Sequence, residues 1–377
     1  MTIPFNKPYM TGNELSYIAE AHVNGHLSGD GPFTRYCNAR LEQQVGCAKA
    51  LLTHSCTAAL EMSALLLALQ PGDEVIMPSY TFVSTANAFV LQGAVPVFVD
   101  IRSDTLNIDE TLIEDAITER TKAICVVHYA GVACEMDEIL RIAAKHGLMV
   151  VEDAAQAIYS SYKGRPLGAI GDFGCLSFHE TKNVISGEGG ALLVRDEARI
   201  QRAEILREKG TNRSKFLRGQ VDKYTWVDVG SSYLPSEIVA AFLRAQMEAG
   251  EAITARRLAI WDRYHAWAAD HERQGRVRRP VIPADCSHNA HMYYLLLPDL
   301  GARTRFIDSM KASGVGAVFH YIPLHSAPQG VKCARSSGSM DTTDRVSAQL
   351  VRLPLWLGVE EHLDEVFAAA DAALASG

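Results

Sequence analysis

Lys182 stands in CLSFHETKNVISGEGGALLV (residues 175–194), between a short apolar run and the glycines Gly187, Gly189 and Gly190. Taking an ammonium out of water is costly unless it is neutralised or paired. A lone lysine at the end of a buried strand therefore asks for a chemical reason. Upstream, LMVVEDAAQA (148–157) ends a second apolar run on Glu152 and Asp153. An acid and a lysine at neighbouring strand ends match the needs of pyridoxal phosphate (PLP). The lysine forms a Schiff base with the cofactor aldehyde, and the acid holds the pyridine nitrogen in its protonated form. The protonated ring then takes up the electrons of a carbanion at the substrate, and the released lysine moves the proton. Read alone, the Asp153 stretch serves equally well as a helix cap, with Gln156 three residues on as a near capping box.

The cofactor also needs a phosphate cup. THSCTAAL places Ser55, Cys56 and Thr57 where a strand turns into a helix, so that free N–H groups and the positive helix end favour a phosphate. An ordinary Ser/Thr N-cap explains the same residues. Ser177, just before Lys182, is a second candidate donor. In PSYTFVSTANA, Phe82 follows a strand and is placed to stack on a ring, although an aromatic there also fits a plain core role. Each signal is modest by itself; the order of phosphate cup, aromatic, acid and lysine is far more specific.

The elements that must position these residues alternate. AKALLT, EVIMPS, VPVFVD, KAICVVHY and LMVVED read as short, nearly all-apolar strands. Between them TAALEMSALLLALQ, VSTANAFVLQG, a capped segment from Asp109 and EMDEILRIAAKHG read as helices. Such strands belong in a sheet covered on both faces, and the alternation predicts an α/β, doubly wound, mainly parallel sheet. Helices after Asp196 and Pro235 continue the layer, and a long helical stretch, Glu237 to Arg273, leads out of it. Beyond Val277, the strands HMYYLLLP and AVFHYIP and the helices ARTRFIDSMKASG and EHLDEVFAAADAALAS predict a smaller α+β domain.

Composition narrows the functions. With 377 residues, 48% of them hydrophobic, the chain is long enough for two domains. A net charge of −8 and the lack of a long Lys/Arg run argue against nucleic acid as a partner. No apolar run is long enough to span a membrane. The eight cysteines form no CxxC pair, which excludes zinc knuckles and predicts no bound metal. The opening MTIPFNKPYM lacks the charged and apolar regions of a secretion signal, so the expected location is cytoplasmic. There is no GxGxxG, Walker, HExxH or GxSxG motif.

Taken together, SCTAALE, PSYTFVSTANA, VEDAAQA, GDFGCLSFHETKN and GEGGALL resemble the DegT/DnrJ-type family of PLP-dependent nucleotide-sugar aminotransferases, from IPFNKP through VFHYIPLH. The resemblance implies the aspartate-aminotransferase-like architecture (fold type I). This comprises a large PLP-binding domain (residues 1–250) with a mainly parallel, seven-stranded sheet, and a small C-terminal α+β domain (251–377). It also implies a homodimer with shared active sites. By motif, Lys182 is the Schiff-base lysine and Asp153 the partner of the pyridinium nitrogen. Gln156 lies near the ring hydroxyl, Phe82 stacks on the ring, and Cys56 (through its backbone), Thr57 and Ser177 hold the phosphate. His320, in FHYIPLH, corresponds to a motif at the mouth of the site, and a structural histidine at a strand end is the competing reading. Where many members carry Gly-x-Asn-x-Arg, reaching the neighbouring subunit's phosphate, this chain has Gly230-Ser231-Ser232-Tyr233-Leu234, with Ser232 at the Asn position.

LQPGDEVIMPSYTFVSTANAFV, HYAGVACEMD, REKGTNRS and RGQVDKYTW are most similar to members that aminate TDP-4-keto-6-deoxy-D-glucose at C4, in surface-polysaccharide synthesis. The implied partners are that nucleotide-linked keto sugar and L-glutamate, with TDP-4-amino-4,6-dideoxy-D-galactose and 2-oxoglutarate as products. Amination at C3 of a 3-keto sugar and a non-catalytic regulator on the same fold are the alternatives. A related sugar 3-dehydratase replaces the lysine by histidine, and the intact Lys182 speaks against it.

Overall fold

The structure, a computed structural model, describes residues 2–375. Its strands are β1 (Lys49–Thr53), β2 (Glu74–Pro78), β3 (Val95–Val99), β4 (Thr121–Val127), β5 (Met149–Asp153), β6 (Ser161–Tyr162), β7 (Arg165–Pro166), β8 (Phe173–Ser177) and β9 (Gly190–Val194). Later in the chain come β10 (Cys286–Ser287), β11 (Tyr293–Leu296), β12 (Val318–Phe319), β13 (Arg335–Ser336) and β14 (Leu350–Leu353). The main sheet runs β1-β9-β8-β5-β4-β2-β3-β13. All its pairings are parallel except those of β9, which is antiparallel to both β1 and β8. Seven of these strands match the expected sheet. The eighth, β13, is two residues long and arrives from the C-terminal part of the chain.

Alternation along each strand divides the apolar side chains between two layers. Ile76, Ile124, Val126 and Val150 pack under the helices Pro32–Val45, Met136–His146 and Glu237–Glu248. Val75, Met77, Cys125, Val151 and Cys175 face the helix Cys56–Leu66. A further core holds Trp261, Tyr264, Tyr293, Leu295, Val351 and Leu353, and Ile3 from the start of the chain packs with it. Its sheet is β11-β14-β12, antiparallel throughout.

Three expected elements differ in the structure. The segment after Asp109 forms only a 3-10 turn (Glu110–Leu112) and one helical turn, Ile113–Ala116, although Asp109 does cap it by accepting from the Thr111 N–H. The stretch Glu237–Arg273 is two helices, Glu237–Glu248 and Gly250–Arg273, which part at Ala249. Gly250 there lies so close to the Tyr159 ring that any Cβ would collide with it. In AVFHYIP the strand stops at Phe319, because Tyr321 adopts a left-handed backbone (φ +48°) that no strand accommodates.

Candidate active site

β1, β2, β4, β5 and β8 all end at one edge of the main sheet, and the chain gathers its reactive groups there. Carboxyl ends of parallel strands are where such sheets place ligands. A cavity of about 690 Å³ opens at this edge. Its lining includes Cys56, Thr57, Phe82, Asp153, Gln156, Ser177, Lys182 and His320. Ser232 is not among the lining residues. It lies exposed, bridged to Glu208 on a separate segment.

Strand alternation separates the two acids that end β5. Glu152 turns to the buried side, where its carboxylate takes the His128 Nε2 (2.8 Å) and the N–H groups of Gly168, Ile170 and Gly171. The Cys134 N–H donates to His128 Nδ1, which leaves the ring proton on Nε2 for Glu152. Burial pushes the Glu152 carboxyl up, but His128 and the backbone donors outweigh it and hold the pKa below the ordinary value. Asp153 turns to the cavity. No helix follows it, so the capping alternative fails. Among the described residues its Oδ1 accepts only the Ala155 N–H (3.1 Å), and its Oδ2 accepts the Thr85 hydroxyl (2.7 Å). Thr85 is itself hydrogen-bonded to Thr81 (2.8 Å), a relay that keeps the Thr85 proton aimed at Asp153. Burial raises the Asp153 pKa, and Thr85, the Ala155 N–H and Lys182 oppose the rise.

Lys182 sits on the hairpin that joins β8 to β9. The hairpin is closed by the Phe178 N–H on Gly189 O and the Glu180 N–H on Gly187 O, and Gly187 takes φ +80°. This turn folds the lysine back over the sheet edge, and desolvation lowers its amine pKa, with Cys56 and Asp153 pulling the other way. A second glycine has a different task. At Gly190 any Cβ would run into the backbone of Ser55 and Cys56, so β9 approaches the start of the helix Cys56–Leu66 only without a side chain. There Ser55 does cap the helix, accepting from Ala58 N (3.1 Å), and Cys56 and Thr57 follow as its first helical residues. Thr57 donates to Ser84 (2.8 Å), which holds both hydroxyls at the cavity. The capping and anion-binding readings of this turn are thus compatible: the cap uses one N–H and leaves the helix end facing the cavity.

Phe82 is 57% exposed on the cavity wall, which rules out a plain core role. Gln156 is held at both ends: its Oε1 accepts the Ala130 N–H (2.7 Å), and its Nε2 donates to the Tyr321 hydroxyl (3.0 Å). His320 packs against Tyr321, and its Nδ1 pairs with the Tyr129 hydroxyl (2.8 Å). Burial, reinforced by Arg352 and Lys182, drives the His320 pKa well below its usual value, so the ring is neutral.

Sequence reasoning did not single out Thr85, Tyr321, His291, Arg257 or Arg352, of which all but Thr85 line the cavity. Arg352 did leave a signal of the kind Lys182 gave, a lone cation inside the apolar run LVRLPLWL. A half-buried lysine with a depressed pKa, a carboxylate held by a hydroxyl relay, and a helix start with free donors fit pyridoxal phosphate. Each polar part of that cofactor has a complementary group in the cavity.

The model of the DegT/DnrJ/EryC1/StrS aminotransferase family matches residues 8–370. The uncharacterized protein MJ1066 of Methanocaldococcus jannaschii is 37% identical over 361 residues, 94% of this chain and 92% of that one. The spore coat polysaccharide biosynthesis protein SpsC of Bacillus subtilis is 34% identical over 380 residues, 97% and 96% of the two chains. The PLP form of the putative sugar aminotransferase Spr1654 from Streptococcus pneumoniae superposes with a TM-score of 0.91 at 26% identity, covering 100% of this chain and 99% of that one.

Proposed function

The chain belongs to the DegT/DnrJ/EryC1/StrS aminotransferase family and is a PLP-dependent sugar aminotransferase; on that premise we propose that it aminates C4 of a nucleotide-linked 4-keto-6-deoxy sugar. The substrate is TDP-4-keto-6-deoxy-D-glucose, L-glutamate is the donor, and the products are TDP-4-amino-4,6-dideoxy-D-galactose and 2-oxoglutarate. The observation that carries the reading is the convergence of Lys182 and Asp153 on one cavity, with the helix start at Cys56–Thr57 in the same wall. The choice of sugar rests on the sequence stretches quoted above, and a role in surface polysaccharide synthesis agrees with the name of the Bacillus relative.

Bound there, the cofactor supplies an electron sink for the carbon that gains or loses the amino group. The chain's residues do the rest. Lys182 would hold the cofactor through its Nζ and, as a free amine, would deliver or remove the proton at the reacting carbon. Its depressed pKa leaves a larger share of the amine unprotonated and fit for both tasks. Asp153 would hold the ring nitrogen, with Thr85 keeping the carboxylate oriented. Cys56 N–H, Thr57 and Ser177 would bind the phosphate, Phe82 would cover the ring, and Gln156 would serve the ring hydroxyl. His320, neutral and anchored by Tyr129, lines the sugar side. Ser232, exposed and outside its own cavity, would reach the phosphate of a partner subunit in a homodimer with shared sites. The division into domains at about residue 250 and a cytoplasmic location belong to the same reading.

The test is spectroscopic. L-Glutamate should discharge the visible band of the PLP-loaded enzyme and build the band of the aminated cofactor, and TDP-4-keto-6-deoxy-D-glucose should restore the first. NMR of the product should place nitrogen at C4. Nitrogen at C3 would move the substrate to a 3-keto sugar, and no turnover with any amino donor would point to a regulator. Lys182→Ala should abolish the band; its persistence would sink the role given to Lys182.

A further inference from the structure

Ser79, His325 and Asp344 form a connected chain of side chains, and none of the three lines the cavity described above. Ser79 follows β2 and is fully buried. His325 lies in the 3-10 turn Leu324–Ser326, and Asp344 in the helix Asp341–Gln349. The Ser79 Oγ is 2.8 Å from His325 Nδ1, and His325 Nε2 is 3.3 Å from Asp344 Oδ1. Serine, histidine and aspartate in this order would suit a nucleophile. That role fails on access: Ser79 has no exposed surface, and its Oγ already accepts the N–H of His325 itself (2.9 Å). With that lone pair used, the Ser79 proton goes to Nδ1, and the ring proton stands on Nε2 towards Asp344. The three side chains act as a tie.

What they tie is the wall that bears Tyr321. The Leu324 N–H donates to Ser79 O (3.0 Å), the Tyr80 hydroxyl to His320 O (2.7 Å), and the Ser347 hydroxyl to Tyr321 O (3.0 Å). Between these anchors Tyr321 keeps its left-handed backbone, φ +48°. For a bulky residue that conformation costs about 1–3 kcal/mol and persists only where the surroundings impose it. Asp344 is itself placed by Asp100, whose carboxylate accepts the N–H groups of Thr342 and Thr343 at the start of the same helix (2.9 and 2.8 Å). The tie therefore joins the end of β2, the helix Asp341–Gln349 and the turn after Tyr321. Tyr321 brings its ring beside Phe82, with the centroids 6.5 Å apart, and its hydroxyl to Gln156. Relaxing the turn would let the Tyr321 backbone escape its strain and carry the ring away from both.

We propose that His325 is a positioning residue: pinned between Ser79 and Asp344, it holds Tyr321 in its strained turn and so sets the wall against which the sugar ring is seated; the proposal rests on the amino-transfer reading of this site. His325→Leu keeps the approximate volume and loses both partners, whereas His325→Asn keeps an acceptor near the Nδ1 position for the Ser79 hydroxyl. Hydrogen exchange of the PLP-loaded proteins reads the tie without turnover. Peptides covering residues 320–326 should exchange about tenfold faster in the Leu variant and within about threefold of the unaltered protein in the Asn variant. In the reaction of the aminated enzyme with TDP-4-keto-6-deoxy-D-glucose, the apparent second-order rate constant should fall about tenfold in the Leu variant and recover in the Asn variant. Discharge by L-glutamate should stay within about threefold, since an open-chain donor has no ring to seat against Tyr321. Ser79→Ala removes the same contact from the other side and should give the same pattern, which keeps the test open if His325→Leu does not fold. A residue needed only for folding would lower Tm and leave both half-reactions of the folded protein unchanged; that result would overturn the proposal, and so would an equal loss in both. Unchanged exchange in the Leu variant would remove the tie itself, whatever the rates. Faster exchange in the Leu variant of an enzyme whose unaltered form aminates no keto sugar would leave the tie standing and remove the amino-transfer reading.

Discussion

Glu74 offers a test in which the size of the effect can be worked out. It begins β2, is fully buried, and is the anchor for three donors from outside its own strand. Arg335 of β13 grips both carboxylate oxygens (2.9 and 2.8 Å), Arg120 adds a contact of 3.0 Å, and the Thr118 hydroxyl one of 2.6 Å. Through Arg335 it fastens the two-residue eighth strand, and the C-terminal chain behind it, to the sheet edge. The Arg335 hydrogen bonds, with Thr118 and Arg120 assisting against desolvation, bring the Glu74 pKa down from 4.5 to about 2. That gap corresponds to about 3 kcal/mol of folding stability held by the ionised carboxylate. Because the folded pKa is the lower one, the contribution is fully present above pH 4.5 and is lost as pH falls towards 2. Glu74→Gln keeps the shape and some hydrogen bonds but not the charge. It should lower stability by about 2–3 kcal/mol at pH 7, which corresponds to a drop in Tm of about 3 °C for a chain of this size. Urea unfolding of both proteins at pH 7 and pH 3 is the assay. At pH 3 the difference should have shrunk by more than half. An equal difference at both pH values would refute the argument, since a purely steric defect does not titrate.

Thr85→Val removes the hydroxyl that opposes the burial-driven rise of the Asp153 pKa while preserving volume. The carboxylate form is the one that holds a protonated ring, so on the acid side PLP retention should fail at a higher pH in the variant; superimposable retention curves would remove Thr85 from the site. Gly190→Val should drive β9 and the start of the helix Cys56–Leu66 apart and weaken PLP binding at least tenfold. Gly187→Ala, with open space around its Cβ and φ +80°, should cost only about 1 kcal/mol of stability and leave the affinity nearly intact. Fluorescence titration with PLP decides both, and equal losses of affinity would contradict the close-approach argument.

The strands and Lys182 were legible because their signals are local. Two-faced apolar runs such as EVIMP and KAICVV identify a covered sheet without knowledge of their partners, and a cation beside freed backbone asks for a chemical role on its own. The ambiguity at Asp153 was also local, and only the chain beyond it could resolve it. Residues 154–160 turn instead of forming a helix, with Gln156 drawn away to Ala130 and Tyr321. What stayed hidden depends on partners far along the chain. His320 becomes a fixed, neutral ring through Tyr129, 191 residues away, and Gln156 meets a tyrosine 165 residues on. No window of sequence contains such a pair.

The same distinction explains the layout of the site. The groups proposed to hold and activate a cofactor, Thr57, Asp153, Ser177 and Lys182, all come from the edge of one sheet, so local patterns reveal them. The groups facing them, His320, Tyr321 and Arg352, come from the segment around the small sheet, and Phe5 from the start of the chain joins them. Their positions are fixed by packing between the two cores: Tyr80, Tyr129, Met292 and Tyr294 form one buried cluster that spans the junction, with Tyr321 against it. The chemistry common to many substrates can therefore stay on the main sheet while the opposite wall varies. Choice of donor and sugar should follow substitutions at Arg352, Tyr321 and His320 far more than substitutions around Lys182, which should remove turnover for every substrate alike.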